Sequence, residues 1–221
     1  MRLILLSFLD SALLFTSSAW ASDVAFDFAT ATMHGTYGQK QSFTSTDGTQ
    51  TITAYGYLSA SSPTRLYGKY TPGTPDETGL GLAVTPDHEI QGSGSNFIQL
   101  DVSGLLKGFK SGSMTIGSLQ PGETYQLWGS NMLGKLGTKL STSATSSDAL
   151  STFALTDWGK YAFYGITAPS GNNLIDNALM FTPSAVPEPA SLTLLGIGLL
   201  SMAVVVRKNR KARNQGSFDV S

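Results

Sequence analysis

The feature that most constrains this chain is an uncharged, apolar run near its C-terminus. Residues 190–206 carry no charged side chain and consist mainly of Leu, Ile, Val, Ala, Met and Gly. A buried core helix of these 17 residues would show one polar stripe, and this run shows none. Its few hydroxyls, such as that of Ser201, can bond back to the helix backbone. Because its length is at the short end of a bilayer span, the run predicts a single transmembrane helix.

Both flanks of this run have a defined character. Pro187, Glu188 and Pro189 precede it, and prolines lack an amide donor and fix φ, so neither helix nor sheet is expected to continue through them. Basic residues form a stop directly after the run: Arg207, Lys208, Arg210, Lys211 and Arg213. Because such residues stay on the cytoplasmic side, the body of the protein is predicted to lie outside the cytoplasm.

This order of Pro-Glu-Pro, apolar span and basic cluster resembles the PEP-CTERM sorting signal of Gram-negative bacteria. The resemblance covers residues 186–213 and leaves 214–221 as a short cytoplasmic tail. It implies that an exosortase cuts or transfers the protein at Pro187, Glu188 and Pro189. It also implies anchoring in the inner membrane before processing, then delivery to the cell surface or the extracellular matrix of a biofilm. A plain linker with a tail anchor is the alternative.

The N-terminus predicts export by the general secretion machinery. Met1-Arg2 gives a positive start, residues 3–15 are mostly apolar, and Ala19-Trp20-Ala21 matches an A-x-A cleavage site. Residues 1–21 are therefore predicted to be a signal peptide, although Asp10 interrupts the apolar stretch. A retained N-terminal anchor is the alternative. The predicted topology agrees with that expected from the C-terminal basic cluster.

The body between these two segments, residues 22–185, has the size of one domain with its own core. It carries twelve acidic and eight basic residues, a net charge of about −4, which argues against a nucleic-acid surface. The chain has no cysteine. A thiol nucleophile, a zinc–thiolate site and haem attachment through Cys are therefore excluded.

Period-two alternation and turn-forming residues predict an all-β body. Asp47-Gly48 suggests a two-residue hairpin turn before a strand over 51–58. In total, short strands are predicted at 24–30, 41–44, 51–58, 65–70, 80–84, 97–102, 113–116, 124–129, 151–155, 161–167 and 174–182. Strands of this number and length favour a two-sheet antiparallel β-sandwich, jelly-roll-like in its connections.

Asp87, Glu89 and Asp101 form the best candidate metal site. Carboxylate oxygens suit Ca²⁺, and many extracellular sandwiches hold a structural calcium ion in such loops. The spacing matches no known calcium loop, so solvated loop acids that bond nearby amides are the alternative. No other cofactor is expected.

Tyr55 and Tyr57 are the candidate ligand-binding residues. Alternation places them on the polar face of their strand, opposite a face with Ile52, Ala54 and Leu58. Exposed aromatic rings on such a face can pack against sugar rings. Ordinary cross-strand pairing that shields the sheet is the alternative.

No catalytic motif is present in the body. His88-Glu89 begins like H-E-x-x-H, but Gly92 occupies the position that requires the second His. His34 has no neighbouring acid or hydroxyl that completes a triad. The protein is therefore predicted not to be an enzyme, with a hydrolase as the least favoured alternative.

The hydroxyl-rich stretch 141–147 is interpreted as a solvated linker between strands, with O-glycosylation as the alternative. Together these features predict an exported, non-catalytic protein with a structural or adhesive role in extracellular polysaccharide. A carbohydrate-binding module that uses the surface tyrosines, stabilised by calcium, is the second hypothesis. Neither the ligand nor the oligomeric state follows from the sequence.

Overall fold

The computed structural model describes residues 23–74, 77–92, 95–144, 149–176, 179–183, 196–203 and 206–207. The chain divides into two units, Met1–Ser184 and Ala185–Ser221, and each is described by itself. The predicted signal peptide (1–21) lies outside the described residues.

In its described residues the first unit forms sixteen strands and one short 3-10 turn, Ala31–Met33. The strands are β1 Val24–Phe26, β2 Gly35–Thr36, β3 Lys40–Thr44, β4 Thr51–Ser59, β5 Ser62–Thr64, β6 Leu66–Lys69, β7 Gly79–Leu82, β8 Ile90–Gln91, β9 Phe97–Asp101, β10 Phe109–Gly117, β11 Thr124–Ser130, β12 Thr138–Ala144, β13 Ser151–Ala154, β14 Phe163–Ser170, β15 Asn172–Ile175 and β16 Leu179–Pro183.

These strands form two antiparallel sheets, which confirms the all-β prediction. The first sheet has the order β1-β16-β10-β15-β7-β6-β2, with β13 paired to β10 and β8 paired to β15. The second has the order β12-β11-β14-β9-β4-β3, with β5 paired to β4. The predicted jelly-roll connections remain a prediction.

One hydrophobic core draws side chains from both sheets, as expected for a sandwich-like fold. Leu80 and Phe181 enter it from the first sheet, and Ile52 and Leu100 enter it from the second. All four are at most 2% exposed. The alternation of buried and half-buried residues along β4 places its inner face against this core.

The turn between β3 and β4 differs from the predicted two-residue hairpin. Ser45 and Gln50 close it with a backbone hydrogen bond of 2.9 Å, which leaves four residues at the tip. The Asp47 carboxylate accepts hydrogen bonds from the Ser45 hydroxyl (2.5 Å) and from the backbone amide (3.1 Å) and hydroxyl (2.9 Å) of Thr49. These side-chain bonds stabilise the wider turn.

The structure also corrects part of the interpretation of the hydroxyl-rich stretch 141–147. Residues 141–144 belong to β12, which pairs with β11, so the interpretation of 141–147 as a linker is wrong for its first half. As an edge strand, β12 carries no clear apolar alternation, which is why its sequence resembles a loop.

The predicted strand 174–182 is divided into β15 and β16 in the structure, and the fully buried Asp176 follows β15.

In the second unit, residues 196–203 and 206–207 are helical and exposed. The Ser201 hydroxyl donates to the Ile197 carbonyl at 2.8 Å, as predicted for a short hydroxyl in this run. Among the described residues, no helix combines the length and the apolar character needed to cross a membrane. Residues 190–195 and 204–205 of the predicted span lie outside the described residues.

Candidate functional site

Strand β4 carries the two candidate tyrosines on the outer face of the second sheet. Tyr55 lies opposite Lys40 on β3 and Gln99 on β9, whereas Tyr57 lies opposite Phe97 on β9. Directly opposed residues of antiparallel strands share a face, so these side chains meet on one surface. This register agrees with the sequence prediction that both tyrosines point away from the core face.

Loop 131–137, which joins β11 to β12, lies over this outer face. The side chain of Gln99 is fully buried beneath it and anchors it through three hydrogen bonds. Gln99 Nε2 donates to the carbonyl oxygens of Met132 (3.2 Å) and Lys135 (3.0 Å), and its Oε1 accepts from the Gly134 amide (2.8 Å). A buried amide with this many partners fixes the position of the loop.

An open groove of about 510 Å³ lies between this loop and strands β3 to β5. We call it the tyrosine groove. Its lining residues are Gly38, Gln39, Lys40, Tyr55, Tyr57, Pro63 and Leu133. Its volume is within the range of small-molecule sites, about 300–1,000 Å³, and it combines aromatic, aliphatic and charged side chains.

The two tyrosines do not have equal access to solvent. Tyr57 is only 5% exposed and stacks on Phe97, with 4.7 Å between ring centroids, so the expectation of an exposed pair is wrong for Tyr57. Burial raises the pKa of both phenols, and the charge of Asp101 adds to the increase at Tyr55. Tyr55 stays half-buried, with part of its surface open to the groove.

Leu58 also differs from the expectation that it shares the core face with Ile52 and Ala54. Ile52 and Ala54 are buried, but Leu58 is 44% exposed. The pairing of β4 with β5 shifts register between Tyr57 and Ser59. The simple alternation along β4 therefore fails at its end.

The three acids of the predicted calcium site lie in different environments. Asp87 is exposed beside a second cavity of about 310 Å³, Glu89 is buried, and Asp101 lies at the end of β9 in the second sheet. Asp101 Oδ1 accepts hydrogen bonds from the amide (3.0 Å) and the hydroxyl (2.6 Å) of Ser103. Across the described residues, no group of three or more acidic or histidine side chains is arranged to hold a metal ion.

Glu89 instead belongs to what we call the buried polar cluster, formed by Lys69, Glu77, Glu89, Ser118 and Asn172. The Lys69 ammonium pairs with Glu89 Oε1 and, at 2.7 Å, with Glu77 Oε2. Asn172 Nδ2 donates to Glu89 Oε2 at 2.7 Å, and the Ser118 hydroxyl lies 3.0 Å from an oxygen of each carboxylate. Both oxygens of Glu89 are thus hydrogen-bonded within the protein.

Electrostatics in this cluster reflect its burial. Burial raises the pKa of Glu89 above its usual value, although Lys69 and Ser118 oppose the increase. Burial also disfavours the charge on Lys69, but hydrogen bonds to Glu77 and Glu89 outweigh this effect and raise the pKa of Lys69. The five residues come from separate strands and loops, so their ion pairs and hydrogen bonds join β6 and β15 to the segments before β7 and β8 and after β10.

Both histidines contact the same tyrosine. The His88 ring stacks on Tyr67 with 3.9 Å between centroids, and the His34 ring meets Tyr67 edge-on at 5.7 Å. His88 also has a left-handed backbone, with φ of +59°. The imidazole rings that the sequence analysis considered for catalysis thus both pack against the ring of Tyr67.

The sorting motif is located by comparison with protein families. Most residues of the predicted signal lie outside the described residues, namely Pro187, Glu188, Pro189, Lys208, Arg210, Lys211 and Arg213. Arg207 is the last of the described helical residues. The family model of the PEP-CTERM protein-sorting motif matches residues 185–211. The chain carries a PEP-CTERM sorting signal. This confirms the resemblance: the signal marks an exported, surface-directed protein and implies processing by an exosortase. Neither a curated protein nor a solved structure gives a significant match to the chain.

Sequence reasoning missed the residues that shape the tyrosine groove. Gln99 anchors the loop, Leu133 forms a wall, and Lys40 supplies the charge. The alternation of β3 and β9 gave a signal for the outer face, but the hydrogen bonds between Gln99 and loop 131–137 join residues more than 30 positions apart. Local patterns do not reveal such a contact.

Proposed function

We propose that this PEP-CTERM protein is exported, processed by an exosortase at Pro187, Glu188 and Pro189, and acts at the cell surface or in the extracellular matrix. Its β-sandwich body has a structural or adhesive role in polysaccharide and no catalytic one. Before processing, residues 190–206 hold the chain in the inner membrane, with the basic residues in the cytoplasm. The match to the sorting motif over residues 185–211 carries this proposal.

Deletion of residues 186–213 tests the sorting step in a host that has an exosortase. We expect loss of surface delivery, measured by labelling intact cells with a membrane-impermeant reagent. The matched control deletes only residues 214–221, which lie beyond the matched motif, and should preserve delivery. Normal surface labelling of the 186–213 deletion would contradict the proposal.

A second candidate function is carbohydrate binding at the tyrosine groove. It is favoured by one observation, that Tyr55 presents part of its ring to an open groove with Lys40 and Gln39 beside it. CH groups of a sugar ring can pack on the aromatic face while polar neighbours bond its hydroxyls. No catalytic step is needed for this role.

A glycan array probed with the full-length protein tests this second function. Tyr55→Ala should lose retention on the glycans that the wild-type protein binds. Tyr70→Ala is the matched control, because Tyr70 is also half-buried but follows β6 in the first sheet. Equal retention of wild-type protein and Tyr55→Ala would count against the groove as a sugar site.

A further inference from the structure

The register of the second sheet places one continuous row of residues across its outer face. Each neighbouring pair in the row is directly opposed on adjacent strands. Opposed residues share a face, so the row crosses the sheet from one edge to the other. In strand order it reads Lys40, Tyr55, Gln99, Gly165, Trp128 and Lys139.

The middle of this row is covered and its two ends are open. Loop 131–137 lies over the centre, where a Cβ added to Gly165 would come within 3.0 Å of Leu136 Cδ2. Tyr55 and Trp128, on either side, are half-buried. Three strand spacings separate them, a distance of about 14 Å. The loop therefore divides the face into two aromatic positions.

Each aromatic position has an exposed lysine directly beside it. Lys40 is opposite Tyr55 on edge strand β3, and Lys139 is opposite Trp128 on edge strand β12. The exposed Lys135 lies in the loop between them. Three of the eight basic residues of an acidic body thus gather on one face. Asp101 also lies on this face, where Ser103 supplies its hydrogen bonds.

From this arrangement we propose that the outer face of the second sheet binds an acidic polysaccharide, a chain of sugar rings that carry carboxylates. The ring faces pack on Tyr55 and Trp128, and the carboxylates pair with Lys40 and Lys139. The inference rests on the second proposed function and adds the charge class of the glycan. A neutral glycan would leave the two flanking lysines without a role, whereas a polyuronate matches their charge.

Binding of the full-length protein to two immobilised polymers tests the inference. The probes are biotinylated polygalacturonate and biotinylated dextran, compared by biolayer interferometry at low and high salt. We expect binding to polygalacturonate that weakens as salt rises, with weaker binding to neutral dextran. The double variant Lys40→Gln/Lys139→Gln should weaken polygalacturonate binding about tenfold, since each exposed ion pair contributes modestly.

Two further variants separate local recognition from general charge attraction. Lys107→Gln/Lys110→Gln makes the same change in net charge on the first sheet, where the exposed Lys110 lies in β10 and the exposed Lys107 precedes it. This double variant should leave binding to polygalacturonate unchanged. Lys40→Arg/Lys139→Arg keeps both charges and should retain most of the affinity. Far-ultraviolet circular dichroism checks that all variants are folded.

The possible outcomes distinguish this inference from the function on which it rests. Equal, Tyr55-dependent binding to both polymers would overturn the acidic-glycan inference and leave carbohydrate binding standing. Equal weakening by the two Lys→Gln pairs would also overturn it, because the attraction would then be non-specific. Binding to neither polymer would count against both.

Discussion

The buried polar cluster and the tyrosine groove make opposite use of polar residues. In the cluster, the ammonium of Lys69 pairs with the carboxylate of Glu89, which also accepts a hydrogen bond from Asn172. The side chain of Glu89 is only 1% exposed. In the groove, one buried amide, Gln99, holds a loop in place so that other side chains stay open. The most conspicuous charged residues of the body thus stabilise the fold, whereas the proposed ligand site lies around a half-buried tyrosine and its lysine neighbour.

The two groove tyrosines give the largest expected contrast. Tyr57→Ala should lower the free energy of unfolding by about 3–5 kcal/mol, because it removes a buried ring stacked on Phe97. Tyr55→Ala should cost about 1 kcal/mol or less, since Tyr55 is half-buried at the surface. Urea unfolding of both variants measures the difference. Similar losses would mean that Tyr55 is also a core residue.

Removing the cation of the polar cluster should have the next largest effect. Lys69→Met leaves Glu89 buried without its ion-pair partner and should destabilise the fold by about 3 kcal/mol at pH 7. Lys160→Met is the control, because Lys160 pairs with Asp157 at the surface, where both side chains are largely exposed. Thermal unfolding should shift strongly for the first variant and hardly at all for the second.

The effect of Lys69→Met should depend on pH. Burial raises the pKa of Glu89, so the folded state binds this proton more tightly than the unfolded state. The stability from this group is therefore present below its unfolded pKa and is lost as pH rises through the folded pKa. Without Lys69 the folded pKa rises further, so the deficit of Lys69→Met should shrink as the pH falls towards 4.5, the ordinary value. A deficit that grows on acidification would contradict this account.

Removing the anchor of the loop should have a smaller effect on stability but a large one on the groove. Gln99→Ala leaves three backbone groups of loop 131–137 without their partner and should cost about 2 kcal/mol. Amide hydrogen exchange in the loop should accelerate. Gln41→Ala, which removes a half-buried amide on β3 that donates to the carbonyl of neighbouring Ser42, should leave the exchange of the loop unchanged. Unchanged exchange in Gln99→Ala would show that other contacts hold the loop.

The sequence predicts those parts of this architecture that depend on local patterns. The sorting signal follows from three features in a fixed order, and the all-β body follows from alternation and turn residues. Strand β12 was not predicted, because Leu140 is its one large apolar residue and no apolar alternation marks it. The burial of Tyr57 was missed because it depends on Phe97, in another strand.

The candidate calcium site shows why proximity in sequence is a weak guide. Asp87 and Glu89 are separated by one residue, His88, whose left-handed backbone lies between an exposed acid and a buried one. Asp101 follows soon in the chain but lies in the other sheet. Alternation cannot predict such a turn, because it requires a φ that non-glycine residues rarely adopt.

We propose that the body binds its ligand at the tyrosine groove and not near the buried polar cluster. Hydrogen exchange of the full-length protein with and without saturating oligogalacturonate tests it most directly. We predict protection in the segments around Lys40, Tyr55 and loop 131–137, with no change around Glu89 and Asn172. Protection confined to the segments around Glu89 and Asn172, or protection nowhere, would contradict the claim.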